Sequence, residues 1–143
     1  RRDVRRRPAS VEDPLMSLPA PILVVEDEEG IREILGLVLE ARGYRVQGVG
    51  NGRDALEFLA ANAPPSLILL DLMLPVMDGE ELLAILRTSG AYRDIPVVIV
   101  SGHHAAKEKA AALRANGCLT KPIEVSDLLR AVERYAHQPA AQP

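Results

Sequence analysis

Four short apolar runs in this 143-residue chain each lead into side chains that can do chemistry. Ile22–Val25 runs into Glu26 and Asp27, Leu67–Leu70 into Asp71, Ile95–Val100 into Ser101, and Cys118–Thr120 into Lys121. Three carboxylates brought together are costly, since two like charges ~4 Å apart repel by about 4 kcal/mol at an effective dielectric of about 20. Such a group needs a compensating cation or a raised pKa. Carboxylate oxygens with room for water suit Mg2+ rather than zinc. Lys121 supplies one positive charge, and a divalent ion would supply the rest. Asp71 would then be a nucleophile able to form an aspartyl phosphate. Mg2+ and Lys121 would neutralise the transferring oxygens, and Ser101 could hydrogen-bond one of them.

These residues can meet only if the runs between them are strands that end on one edge of a sheet. Ile22–Val25 and Ile95–Val100 are continuous apolar stretches, the pattern of strands buried on both faces. Tyr44, Val46 and Gly48 alternate with Arg45, Gln47 and Val49, which predicts a second strand before the Asn51-Gly52 turn. Helical spacing appears at Ile31, Ile34, Leu35, Val38 and Leu39, ending near Gly43, and at Ala55, Leu56, Leu59 and Ala60, stopped by Pro64-Pro65. Further helices are predicted from about Gly79 to Gly90, over the Ala/Lys/Glu-rich Ala105–Ala115, and along Val125, Leu128, Leu129 and Val132. Five alternating strand–helix units imply an α/β, doubly wound (βα)5 sandwich with a parallel sheet. In such folds the ligand site lies at the carboxyl ends of the strands. Every residue singled out above falls there.

Bulk properties narrow the class. Hydrophobic content of 48% and charged content of 26% are those of a globular domain, and one domain is what this length accommodates. No apolar run approaches the ~20 residues needed to cross a bilayer, so no membrane insertion is expected and a cytoplasmic location is the natural reading. The single Cys118 excludes an internal disulfide. Of the net charge of −3, residues 1–16 carry +2, from Arg1, Arg2, Arg5, Arg6 and Arg7 against Asp3, Glu12 and Asp13, leaving −5 for the rest. An acidic domain with 3% aromatics and no Trp is poorly suited to nucleic acid. Residues 1–20 read as a disordered, basic, Pro-containing leader, 21–136 as the folded domain and 137–143 as a flexible tail. Met16 is a candidate translation start.

The chain resembles the receiver domain of two-component response regulators, the CheY-like, flavodoxin-like group, from about Pro21 to Tyr135. "ILVVEDEEGIRE" is similar to that family's opening strand and acidic pair, and "LILLDLMLPVMDGEELL" to its phosphoacceptor segment. "IPVVIVSG" and "LTKPI" resemble its Ser/Thr and Lys-Pro signatures. The resemblance implies strand order 2-1-3-4-5 and a cis Lys121-Pro122 bond. It implies that Asp71 takes a phosphoryl group from a sensor histidine kinase or phosphotransfer protein. Asp27, backed by Glu26, would hold Mg2+ with Asp71 and the backbone carbonyl of Met73. Lys121 would pair with the acceptor, and Ser101 would report the phosphate. Such a domain promotes only its own phosphorylation and dephosphorylation, so it is no enzyme toward an external metabolite. Either output would pass to an unidentified partner through the fourth helix, fifth strand and fifth helix, or the chain is a fragment of a larger regulator, with a homodimer left open. After Tyr135 only "AHQPAAQP" remains, so no DNA-binding unit is expected in this chain.

Other readings of the same residues are structural. Glu26-Asp27 could favour a helix N-terminus, Ser101-Gly102 could be a turn, and Lys121 could be a solvated lysine. Asp78-Gly79 reads as the turn and N-cap of the third helix, and His103 and His104 as exposed loop residues. Two departures from the family pattern stand out. Cys118 occupies the place of a switching ring, and the run before it is shortened to Asn116-Gly117. A small apolar role suits Cys118, and the ring-based switch is not carried over. A haloacid-dehalogenase-like phosphatase would need a second Asp where Met73 stands. A scaffold binding partners without phosphorylation is the other rival. The resemblance further implies that the residues two beyond the acceptor and two beyond Ser101, here Met73 and His103, flank the path of the hydrolytic water. Met73 cannot orient water, so slow spontaneous loss of phosphate is expected. Met73→Asn should shorten the phosphoprotein's half-life, read by intact mass over time; an unchanged decay would refute this.

Overall fold

The computed structural model describes residues 19–102 and 106–136. Its elements alternate throughout: β1 (Ile22–Val25), α1 (Glu29–Glu40), β2 (Val46–Val49), α2 (Gly52–Ala61), β3 (Leu67–Asp71), α3 (Gly79–Thr88), β4 (Val97–Ser101), α4 (Ala106–Ala112), β5 (Gly117–Thr120) and α5 (Val125–Tyr135). All strand pairs are parallel, in the order β2-β1-β3-β4-β5, which is the order expected. The leader over 1–18, the tail over 137–143 and the His103-His104 pair lie outside the described residues. Pro19 and Ala20 belong to the described part: Arg45 Nη1 donates to the Pro19 carbonyl at 2.6 Å.

Strand periodicity explains the two faces. Leu23, Val25, Ile68, Leu70, Val97 and Ile99 point to a core closed by α2, α3 and Ala110 of α4. Their neighbours Ile22, Val24, Leu67, Leu69, Val98 and Val100 point to the opposite core, closed by Leu35 and Leu39 of α1 and by Leu128 and Val132 of α5. Because side chains alternate with period 2, a strand apolar at every position must be covered on both sides. β1, β3 and β4 are buried at every residue, whereas the edge strands β2 and β5 are partly exposed. Each buried aliphatic side chain contributes about 1.5–3 kcal/mol. The ends of β1 and β3 are therefore held on both faces.

Helix boundaries follow local chemistry. Asn51 and Asp78 cap α2 and α3 by accepting from the Asp54 and Glu81 amides at 2.8 and 2.9 Å. After α1 the chain turns through Gly43 at φ 91°. Three expectations need correction. β2 begins at Val46, not Tyr44, because the Tyr44 amide is spent on the Leu39 carbonyl at the end of α1. β4 begins at Val97, not Ile95, because the Ile95 amide is spent in a turn on the Tyr92 carbonyl, and Pro96 has no amide to pair. α4 ends at Ala112, short of Ala115, with Arg114 at φ 63°. Propensity favoured continuation, but Asn116 draws the chain back into the sheet. Its amide donates to the Val97 carbonyl at 2.7 Å, and its side-chain oxygen accepts from the Val97 amide at 2.8 Å.

Arg87, at the end of α3, ties this edge of the sheet together. Its guanidinium donates to the carbonyls of Arg114, Arg93 and Ile95 and to the Asn116 side chain, at 2.9–3.1 Å. Burial lowers its pKa, with the charge of Arg114 adding to the effect. Hydrogen bonds to charged groups are worth about 1.5–3 kcal/mol. Arg87→Met, which keeps the stem and removes the donors, should therefore cost about 1–3 kcal/mol in urea unfolding. An unchanged unfolding midpoint would mean that water replaces the clamp.

Candidate functional site

Strand register brings the first carboxylates together. Val25 of β1 pairs with Leu70 of β3, so Glu26 and Asp71 leave neighbouring strands at the same level. Both are buried, at 2% and 4% exposure. Lys121 follows β5, two strands away from β3, yet its stem crosses above Gly102, where an added Cβ would sit 3.8 Å from its own. Its ammonium ends 3.0 Å from Asp71 Oδ2 and 3.0 Å from Glu26 Oε1. One cation thus bridges two buried carboxylates.

The second oxygen of each carboxylate is held in the same manner, by a backbone amide two residues on. The Met73 amide donates to Asp71 Oδ1 at 2.9 Å, and the Glu28 amide to Glu26 Oε2 at 3.2 Å. Asp27 completes an acidic triad: one oxygen from each of Glu26, Asp27 and Asp71 lies within 4.8 Å of the others. Asp27 is exposed, and its carboxylate makes no hydrogen bond or ion pair among the described residues. Three hard oxygen donors, one of them open to water, match what Mg2+ prefers. Ser101 is fully buried at the end of β4, and its carbonyl accepts from the Lys121 amide at 3.0 Å. Lys121-Pro122 is a cis peptide bond. The side chain of Met73 is 69% exposed at the rim.

The sequence pointed to the side chains but not to the two backbone donors, nor to how closely α3 approaches. A Cβ on Gly79 would lie 2.4 Å from the Asp71 carbonyl oxygen and 2.6 Å from Leu72 Cα, so only glycine fits there. The Gly79 amide donates to the Leu72 carbonyl at 3.0 Å, which binds the start of α3 to the chain just past Asp71. Between them the chain makes a γ-turn, with Met77 N donating to the Pro75 carbonyl at 2.7 Å and Val76 at φ 69°. That conformation strains a β-branched residue. Cys118 is half-buried against the core that contains Ala110, with its thiol pKa raised chiefly by burial, which suits a small apolar filler.

Electrostatics follow from this geometry. Burial raises the Glu26 pKa, outweighing the hydrogen bonds from Lys121 and the Glu28 amide, and the charge of Asp71 adds to the rise. For Lys121, burial acts to lower the pKa, but the two carboxylates together overcome it and the net shift is upward. Each sign has a consequence for stability. Lys121 contributes stability that is complete below its ordinary pKa of 10.5 and lost as pH rises through the higher folded value. Glu26, also raised, favours the fold below 4.5 and loses that contribution as pH rises through its folded value. At neutral pH its charge is therefore a burden on the metal-free protein. Glu26→Gln should raise the metal-free melting temperature at pH 7. It should also flatten the stability profile just above pH 4.5. A lower melting temperature would show that the ion pair outweighs the cost of burial.

Comparison with known proteins agrees with this geometry. A family model for the response regulator receiver domain matches residues 22–133. The alkaline phosphatase synthesis transcriptional regulatory protein SphR of Synechococcus elongatus is 34% identical over 148 residues, covering 94% of this chain and 57% of that protein. The chain spans about half the length of the curated relatives it matches. Among solved structures, Vibrio cholerae chemotaxis protein CheY4 superposes with a TM-score of 0.74 at 28% identity, covering 82% of this chain and 98% of that one. The receiver domain of sensor histidine kinase PA1611 from Pseudomonas aeruginosa, which has a magnesium ion coordinated in its active-site cleft, gives the same TM-score and identity, with 82% and 97% coverage.

Proposed function

From the premise that this chain belongs to the response regulator receiver family of two-component signalling, we propose that it is a phosphoacceptor whose nucleophile is Asp71. The observation that carries this reading is the Lys121 ammonium 3.0 Å from both Asp71 and Glu26, with Asp27 alongside. A carboxylate oxygen of Asp71 attacks the phosphorus of a phosphohistidine on a sensor kinase or phosphotransfer protein, the P–N bond breaks, and the imidazole leaves. Glu26, Asp27 and Asp71, with the Met73 carbonyl, would hold Mg2+. When bound, the ion supplies positive charge to the transferring phosphoryl oxygens. Lys121 stands beside the acceptor and compensates the same charge from the β5 side. The Met73 amide fixes one acceptor oxygen, so the attack geometry needs little reorganisation.

Ser101, at the end of the neighbouring strand β4, would hydrogen-bond the new phosphate. Its backbone link to Lys121 joins β4 to β5 at this level. A change there would pass to α4, β5 and α5, the face through which an output partner would read the phosphate. Cys118 in β5 means that this readout works without a ring at that position. Among the described residues no helix is long and apolar enough to cross a membrane.

Incubation with a small phosphodonor and Mg2+ tests the reading, with intact mass as the signal. One phosphate adduct should form on the parent and none on Asp71→Asn. Equal labelling of both proteins, or none of either, would overturn the assignment, and the latter would favour a scaffold that binds partners without phosphorylation.

A further inference from the structure

The three acidic side chains of the site differ in how they are held. Glu26 and Asp71 each have one oxygen on Lys121 and the other on a backbone amide. Asp27 has no such partner among the described residues. Its carboxylate can be aimed only through its backbone. Glu26 N donates to the Val49 carbonyl at 3.0 Å, which anchors the residue before it to β2. The remaining constraint comes from α1: Arg32 Nη1 donates to the Glu26 carbonyl at 2.7 Å. That carbonyl belongs to the peptide unit joining Glu26 to Asp27, and a peptide unit is planar. Holding its oxygen holds the orientation of the bond from which Asp27 departs.

The neighbouring strand is shaped for this arginine. A Cβ on Gly48 of β2 would sit 2.9 Å from both Cγ and Cδ of Arg32, and one on Gly50 would sit 3.6 Å from Nη1. The stem therefore lies across the edge of β2 where Gly48 leaves room, and the guanidinium reaches the loop after β1. Arg32 is half-buried along this path. Most rotamers that would carry the side chain into water are thereby excluded, so the hydrogen bond is made at little further entropic cost.

We propose that Arg32 is a positioning residue for the divalent-cation site, setting the direction of the Asp27 carboxylate by holding the Glu26–Asp27 peptide. This rests on the receiver reading above. It adds a distinct claim: part of the affinity for the metal resides in a basic side chain that never touches it. Outer partners of metal ligands are typically worth 10–100-fold in affinity. Arg32 acts on one ligand of three, so the lower end of that range is expected. A merely structural arginine would affect the melting temperature without changing metal affinity.

The test is a calorimetric titration of Mg2+ alone into the full chain and its variants, with metal-free melting recorded for each. Arg32→Ala should bind Mg2+ about tenfold more weakly than the parent. Arg32→Lys, which keeps N–H donors on a stem of similar length, should recover most of the loss. Gly48→Ala, which leaves Arg32 in place but pushes its stem aside, should weaken binding in the same direction. A folded Arg32→Ala that binds Mg2+ within about twofold of the parent overturns the proposal. If Arg32→Ala does not fold, Gly48→Ala decides by the same criterion. A parent that takes up no Mg2+ would overturn the functional reading itself, an outcome separate from the failure of Arg32 alone.

Discussion

The ion pair that Lys121 makes with both Glu26 and Asp71 is the constraint around which this structure is organised. Two carboxylates at 2% and 4% exposure could not stand at the ends of adjacent strands without a cation. The cation comes from the far side of β4, so β3, β4 and β5 must keep their register for it to arrive. A slip of one residue in β5 would turn Lys121 to the other face. The site thus depends on the whole half-sheet, although only a few atoms do the chemistry.

The layers around the sheet supply that register. Apolar strands covered on both faces leave the chain little choice of pairing, and the helices are set by side chains of fixed spacing. The two edges of the sheet are handled differently. At the carboxyl edge the backbone is crowded: α3 starts against Asp71 at Gly79, and the intervening turn strains Val76. At the opposite edge Arg87 collects three carbonyls from two connections, with Asn116 closing the set. One edge is spent on chemistry and the other on cohesion, as a rigid scaffold with a strained functional loop requires.

Within the site, support is uneven. Glu26 and Asp71 each have both oxygens held, by Lys121 and a backbone amide, whereas Asp27 is exposed and has no such partner among the described residues. This division leaves one carboxylate accessible beside an otherwise buried cluster. The burial that raises the Glu26 pKa also makes a positive partner valuable there. Cys118 fills a modest volume beside α4. A short α4 ending at Ala112 rests on β5 without a ring between them.

The fold and the acidic, basic and hydroxyl residues of the site were legible because their signals are local and periodic. Largely apolar runs of three to six residues, each leading into Glu, Asp, Ser or Lys, mark strands and their carboxyl ends directly. The start of β4 and the end of α4 were misread because propensity is local, whereas the Tyr92 turn and the return of Asn116 to Val97 are tertiary contacts. Nothing in the composition could reveal that the Met73 and Glu28 amides hold the carboxylates, that Gly79 is fitted against Asp71, or that Arg32 lies over Gly48. Backbone donors carry no residue identity, and close approaches exist only once the elements are packed. The sequence by itself determined which side chains would stand at the sheet's edge. Only the tertiary structure decided their distances and which of them is left unsupported, because those depend on register and on neighbouring backbone.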